Sequence, residues 1–435
     1  MTVVVENDQQ SVAQYEDAIY RKITWKLIPF FAICYLASYL DRINVGFAKL
    51  QMSADLSLSN TAFGVGAALF FVGYILFEVP SNYALNKMGA KIWIARIMIT
   101  WGILSGLTMF VQTPTQFYII RFLLGVAEAG FLPGVIFYLT QWYPSWRRGK
   151  IIAFFFCGIP LASIIGGPLS GWIMTSFYDV NGWRGWQWLF LLEAIPTVIL
   201  GILTFWILPN SPNHAKWLSD SEKGFVNKQV ETASDQDGVK HKFIDGILNL
   251  KVWVLGLIDF ALMLGIYIIG FWMPTFIKNT GVSNISDIGW LTAIPSLAGL
   301  LGMLIISTSS DYFRERRWHI IVPFIIGAIA LASSSLVQNN LALTIICFSV
   351  AQAVILGAAP VYFTLPGNLL KGAAAAAGFA LATSIANMSG LVSNSLMGWV
   401  LDLTGNTNAA MFFFAGCLLL STLLVLSIPK SLANK

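Results

Sequence analysis

The chain has 435 residues, 57% of them hydrophobic and only 11% charged, with a net charge of +5. Soluble domains carry about 25% charged residues, so a water-soluble globular protein is excluded. The small basic excess is spread along alternate turns rather than gathered in one patch, which argues against nucleic acid as a partner.

In chain order, twelve stretches reach the roughly 20 apolar residues that a membrane helix needs. Spans one to six cover 24–48, 61–86, 91–111, 115–142, 149–175 and 187–208; spans seven to twelve cover 250–277, 286–309, 317–337, 341–366, 373–400 and 408–428. The start, up to Asp17, is polar and acidic. It lacks the basic start and short apolar core of a cleavable signal, so span one is expected to direct insertion itself. Lys87 and Lys91, then Arg147, Arg148 and Lys150, then Arg314, Arg316 and Arg317 occupy alternate turns, and the central loop adds Lys216, Lys223, Lys228, Lys240 and Lys242. The opposite turns hold little beyond Lys49, Arg184 and Lys278. Positive charge stays on the cytoplasmic side, which predicts both termini and the central loop there.

The polar segment Ser211–Asn249 divides the spans six against six, giving 1–210, a loop 211–249, and 250–435 as the expected units. The halves echo each other at an offset of roughly 225 residues: Pro168-Leu169-Ser170-Gly171-Trp172 answers Ser395-Leu396-Met397-Gly398-Trp399, and Pro209 answers Pro429. Such parallel repeats mark transporters. Small residues crowd span two (Gly64, Gly66, Gly73), span five (Gly158, Gly166, Gly167, Gly171) and the start of span eleven (Ala373–Ala377, Gly378). They let helices approach closely, as two rocking bundles would require.

Charges inside these spans are few. Asp41 and Arg42 lie in span one, and Arg121 and Glu128 in span four. A charge at the bilayer centre costs about 2.5–3.5 kcal/mol on insertion scales, so each is expected to pair, to line a water path or to meet a ligand. Cys34, Cys157, Cys347 and Cys417 fall in spans without CxxC spacing, and His214, His241 and His319 fall in loops or at span ends. No metal and no cofactor is implied, and no nucleophile–base set suggests an enzyme.

The motifs then become specific. Tyr39-Leu40-Asp41-Arg42-Ile43-Asn44-Val45-Gly46-Phe47-Ala48 closes span one, and Phe77-Glu78-Val79-Pro80-Ser81-Asn82 lies in span two. Gly125-Val126-Ala127-Glu128-Ala129-Gly130-Phe131-Leu132-Pro133-Gly134 fills span four, and Trp188-Leu189-Phe190-Leu191-Leu192-Glu193 opens span six. With twelve spans and two six-span repeats, the chain resembles the major facilitator superfamily, and within it the anion:cation symporter family. Leu365-Pro366-Gly367 and Ser384-Ile385-Ala386-Asn387 look more like its tartrate, phthalate and hydroxyphenylacetate carriers. The chain departs from the family at Asn86, where the superfamily turn often has Asp, and at Asn394, where relatives often have Pro; the bend there stays open.

The resemblance implies an all-α membrane protein of twelve transmembrane helices in two six-helix pseudo-symmetric bundles. It also implies a small organic carboxylate as substrate and protons as the coupling ion. Arg121 is expected to bind the carboxylate, since its planar fork suits two oxygens, and Glu128, seven residues on and on the same helix face, to carry the proton. A permanent Arg121–Glu128 pair is the rival reading. The resemblance gives Asp41 a part in proton coupling and Arg42 one in substrate contact. Tyr39, Tyr74 and Asn387 match family site positions, and Tyr267 and Thr364 complete the expected lining. Asn86 and Lys91, with Asp311 and Arg314, are expected to gate the turns after spans two and eight. Glu78 and Glu193 read as structural or gating acids, and Asp259 as an extra titrating group or the partner of a donor. The function expected is proton symport of an aromatic acid or a hydroxy-dicarboxylate such as tartrate, in the inner membrane, with no obligate protein partner evident. A proton-independent facilitator or exchanger and a non-transporting receptor are the alternatives.

Overall fold

The computed structural model describes residues 2–144, 147, 151, 155, 157–236, 249–365, 373–430 and 434; for 2–13, 233–236 and 373–380 it describes the backbone alone. Every regular element among them is a helix. The first bundle holds α1 (Thr2–Asp55), α2 (Asn60–Met88), α3 (Ala90–Leu107), α4 (Pro114–Glu128), α5 (Phe131–Thr140), α6 (Gly158–Ser176) and α7 (Gly185–Ile207). After the linker helix α8 (Asp220–Gln236), the second bundle holds α9 (Leu250–Asn279), α10 (Ile285–Phe313), α11 (Trp318–Ser334), α12 (Leu341–Tyr362), α13 (Ala373–Thr404) and α14 (Asn408–Ser427).

Nine stretches among the described residues are long and apolar enough to cross a bilayer, α4 and α5 together forming one of them. The remaining three spans of the sequence reading fall on α6, α11 and α13. Span one is longer than its apolar core, because α1 continues beyond it at both ends. Span four is not one helix: it breaks at Ala129–Gly130, where Gly130 adopts φ +86°. Only glycine takes that backbone conformation without strain.

Packing repeats as the sequence does. In the first bundle α3 packs on α7, α2 on α4, and α1 on α6 and α7. In the second, α11 packs on α14, α10 on α12, and α9 on α13 and α14. Each second-bundle pair is the counterpart, six spans on, of a first-bundle pair. The bundles meet where α2 crosses α13, α6 crosses α10 and α1 passes α9. Backbones touch at the α6–α10 crossing: a Cβ on Gly167 would stand 2.6 Å from the Gly289 carbonyl oxygen. Any side chain there would push the bundles apart.

The cross-bundle hydrogen bonds gather at the face opposite the chain termini. Asp402, in the last turn of α13, accepts from the Asn60 N–H (3.1 Å), the Asn60 Nδ2 (3.0 Å) and the Thr61 N–H (2.7 Å). It therefore caps the free amides at the start of α2 from the other bundle. Lys49 donates to Asn60 Oδ1 at 2.8 Å and lies 4.6 Å from the Trp272 ring centroid. Lys278 donates to the Leu50 carbonyl at 3.1 Å. The structure is closed at this face.

Candidate substrate and proton site

The crossing of α2 and α4 sets the site. Gly125 has no side chain and admits the Phe70 carbonyl against its backbone. This brings Phe70 alongside Arg121 and, one turn on, the Tyr74 backbone against Gly125. Arg121 is 1% exposed, and its Nε, Nη1 and Nη2 all lack a hydrogen-bond partner among the described residues. Its guanidinium carbon lies 5.1 Å from the Phe70 ring centroid. Buried polar groups are almost always hydrogen-bonded, so a buried fork with three unpartnered nitrogens is a candidate anion-binding group.

Glu128 is held by a different arginine. Arg42 Nε and Nη2 each reach Glu128 Oε1 at 2.7 Å, and Ser38 Oγ donates to the same oxygen at 2.8 Å. The expected alternatives for Arg121 and Glu128, sharing a function or sharing a bond, are therefore settled against the bond. The ion pair runs between α1 and α4. It places Arg42 5.5 Å from the Phe70 ring and 5.2 Å from that of Tyr74, so both arginines border Phe70. Glu128 ends α4 at the glycine break, so its carboxylate sits where the backbone leaves the helix.

Asp41 faces away from this pair. It accepts from Trp101 Nε1 (2.6 Å), Ser105 Oγ (3.0 Å) and Thr197 Oγ1 (3.2 Å), on α3 and α7. The 100° step between neighbouring helix residues turns Arg42 to α4 and Asp41 to the far side of α1. Glu193 accepts from Asn44 Nδ2 and Ser170 Oγ, both at 3.0 Å, and so ties α7 to α1 and α6. Asp259 is 2% exposed and its Oδ1 lacks a partner.

From the second bundle, the Tyr267 hydroxyl comes within 3.5 Å of Asn387 Oδ1, and its ring lies 4.9 Å from Phe71 of the first bundle. Tyr39 is buried beside Gly270. Thr364 is exposed, and its hydroxyl donates to the Val361 carbonyl at 2.7 Å within its own turn. Asn394 stands in a continuous α13, where its Oδ1 accepts from Trp272 Nε1 at 3.0 Å and its Nδ2 donates to the Gly390 carbonyl at 2.8 Å.

Of the residues expected to gate the turns, Asp311 is ion-paired to Arg316. Arg314 caps α10 in the left-handed region (φ 51°). Asn86 bonds the Asn82 carbonyl of its own helix at 3.0 Å, and among the described residues no ion pair includes Lys91.

Sequence reasoning missed Ser38, Phe70, Phe71 and Trp101. Ser38 could have been found, because it lies one turn before Arg42. Among the described residues no group of three His, Cys, Asp or Glu is placed to hold a metal ion.

Residues 31–378 match the model of the Major Facilitator Superfamily. The chain belongs to this superfamily. It is 64% identical over 420 residues, with 96% of each chain covered, to a Pseudomonas putida KT2440 protein provisionally named as the metabolite transport protein NicT. It is 42% identical over 429 residues, 98% of this chain and 94% of the other, to an Agrobacterium vitis protein provisionally named as a tartrate transporter. The xylose transporter XylE from E. coli, in a partially occluded inward open conformation, has the same fold: TM-score 0.70 at 16% identity, covering 92% of this chain and 98% of that one. The protein is thus a multi-pass membrane transporter of the major facilitator superfamily, and not an enzyme.

Proposed function

We propose that the protein is a proton-coupled symporter of the anion:cation type for a small organic carboxylate, working in the inner membrane with both termini cytoplasmic. The bundles, 1–210 and 250–435, rock about the crossings at α2–α13 and α6–α10, with 211–249 as their link. The closed face is then the outer one.

One observation carries the reading: Arg121, fully buried, has three guanidinium nitrogens without partners. Arg121, Arg42 and Glu128 together bear one net positive charge, which one carboxylate neutralises. With Glu128 ionised, Arg42 is engaged by it. When Glu128 takes a proton, Arg42 is released and can join Arg121 in holding the anion. Proton and substrate then favour the same loaded state, which is the linkage that symport needs. Asp41 is the second acid of the reading, and Tyr39, Tyr74, Tyr267, Thr364 and Asn387 supply shape and polar contacts. The relative named for tartrate supports a carboxylate as the substrate.

The test is a pair of proteoliposome assays on Glu128→Gln, which mimics the protonated acid. Uphill uptake of the best-binding carboxylate under a pH gradient should be lost, while counterflow without a gradient persists. Uptake with unchanged pH dependence would remove Glu128 from coupling, and a wild-type protein whose uptake ignores the pH gradient would favour a facilitator or exchanger.

A further inference from the structure

A cavity with mostly apolar walls lies between the bundles, on the closed side of the arginine pair. Its polar lining is Ser163 from the first bundle and Thr292, Ser296 and Gln352 from the second, with Ile43 and Gly270 among the apolar walls. No charged residue lines it. The hydroxyl protons are already engaged within their own helices. Thr292 donates to the Gly289 carbonyl (2.7 Å), Ser296 to the Thr292 carbonyl (3.1 Å) and Ser163 to the Ile159 carbonyl (3.3 Å). Their oxygens remain available as acceptors. Gln352 is 4% exposed, and its Oε1 has no partner. The cavity thus presents acceptors, and apart from the Nε2 of the same amide no donor of these side chains is left free. A buried carbonyl left in that condition is unfavourable, and a ligand hydroxyl or N–H would relieve it.

The cavity adjoins the site already described. Ile43 follows Arg42 in α1, and Gly270 lies beside Ile43 and the Tyr39 hydroxyl. We propose that Gln352, with Thr292, Ser296 and Ser163, forms a neutral acceptor subsite that receives a hydroxyl or N–H group of the transported acid. This rests on the carboxylate reading of Arg121 and adds a selection rule to it. The arginines take the charge, and Gln352 separates a donor-bearing acid from its plain analogue. Because both bundles line the cavity, a group bound there is felt at the closed face, which couples selection to closure.

The experiment measures binding of two matched pairs to the purified full-length protein: tartrate against succinate, and 4-hydroxybenzoate against benzoate. In at least one pair the hydroxylated acid should bind about ten-fold tighter or more, because a site built around a hydrogen bond rejects the analogue lacking it. Gln352→Leu should weaken only the hydroxylated member and level the pair. Ser296→Ala, a smaller change, should narrow the preference and serves if Gln352→Leu does not fold. A wild-type protein without preference, a preference that survives Gln352→Leu, or no binding of any of the four acids overturns the subsite. Arg121→Lys separates the two ideas, since it should weaken both members of a pair alike. If it leaves affinity unchanged while Gln352→Leu still levels the pair, the arginine reading fails and the subsite stands.

Discussion

Arg42 and Glu128 form a buried ion pair, 2.7 Å from Nη2 to Oε1, across two helices that lie 86 positions apart in sequence. Arg121, on the same helix as Glu128, has no such partner. The two arginines of the site are therefore in different states, one engaged and one unpartnered among the described residues, and in the proposed symport a proton on Glu128 changes that difference.

Removing Arg42 should strand Glu128. Breaking a buried pair by deleting one partner costs about 3–5 kcal/mol, because the other charge stays buried alone. Arg42→Ala should lower the apparent melting temperature of the purified protein sharply, and Arg42→Ala with Glu128→Gln should recover most of the loss. Equal losses in the single and double variants would show that the pair is not what Arg42 contributes.

At Arg121 geometry should count as well as charge. A lysine keeps the charge but not the fork. Hydrogen bonds to charged groups are worth about 1.5–3 kcal/mol each, so Arg121→Lys should reduce carboxylate affinity roughly ten- to a hundred-fold. Calorimetry on the purified variant would show this, and near-normal affinity would count against the assignment. Stability should change little, since among the described residues Arg121 makes no side-chain hydrogen bond.

Asp41 should report stoichiometry rather than affinity. Asp41→Asn keeps an oxygen for the Trp101 N–H, so the fold should hold. With two protons per monoanion, transport carries charge and gains about 2.3 kcal/mol per 100 mV. The variant should lose this dependence on membrane potential. Uptake at clamped potentials in proteoliposomes checks it, and a wild type insensitive to potential would leave Asp41 a structural acid.

The Asp402 cap should hold the closed face. Asp402→Ala removes three acceptor contacts from Asn60 and Thr61 and should shift the population toward opening there. A single cysteine at Thr61 would then be labelled faster from that side, whereas an unchanged rate would place the closure in the glycine crossings alone. By contrast Asp311→Ala removes a pair in which the acid is mostly exposed, made to Arg316 just past the end of α10. Such pairs contribute about 0–1 kcal/mol, so its melting temperature should barely move.

Several features were legible in the sequence because the bilayer sets them. Span number follows from apolar run length, since lipid offers backbone groups no partner outside a helix. The repeat followed from matched motifs, and the packing pairs obey it one for one. The candidate acids and arginines were legible too, because a charge inside an apolar run stands out by its cost. Gly130 and Pro133 signalled the broken fourth span, but an uninterrupted apolar run outweighed them.

What the chain could not decide by itself was which charge meets which. Arg121 and Glu128 share a helix face, so local spacing offered a pair that the fold does not use, and the neighbours Asp41 and Arg42 left their partners open. The choice depends on how α1 is rotated against α3, α4 and α7, and on how closely glycines such as Gly125 let backbones cross. Those are tertiary quantities. They turn Asp41 to Trp101, give Glu128 to Arg42, give Asp311 to Arg316, and leave the fork of Arg121 open beside Phe70.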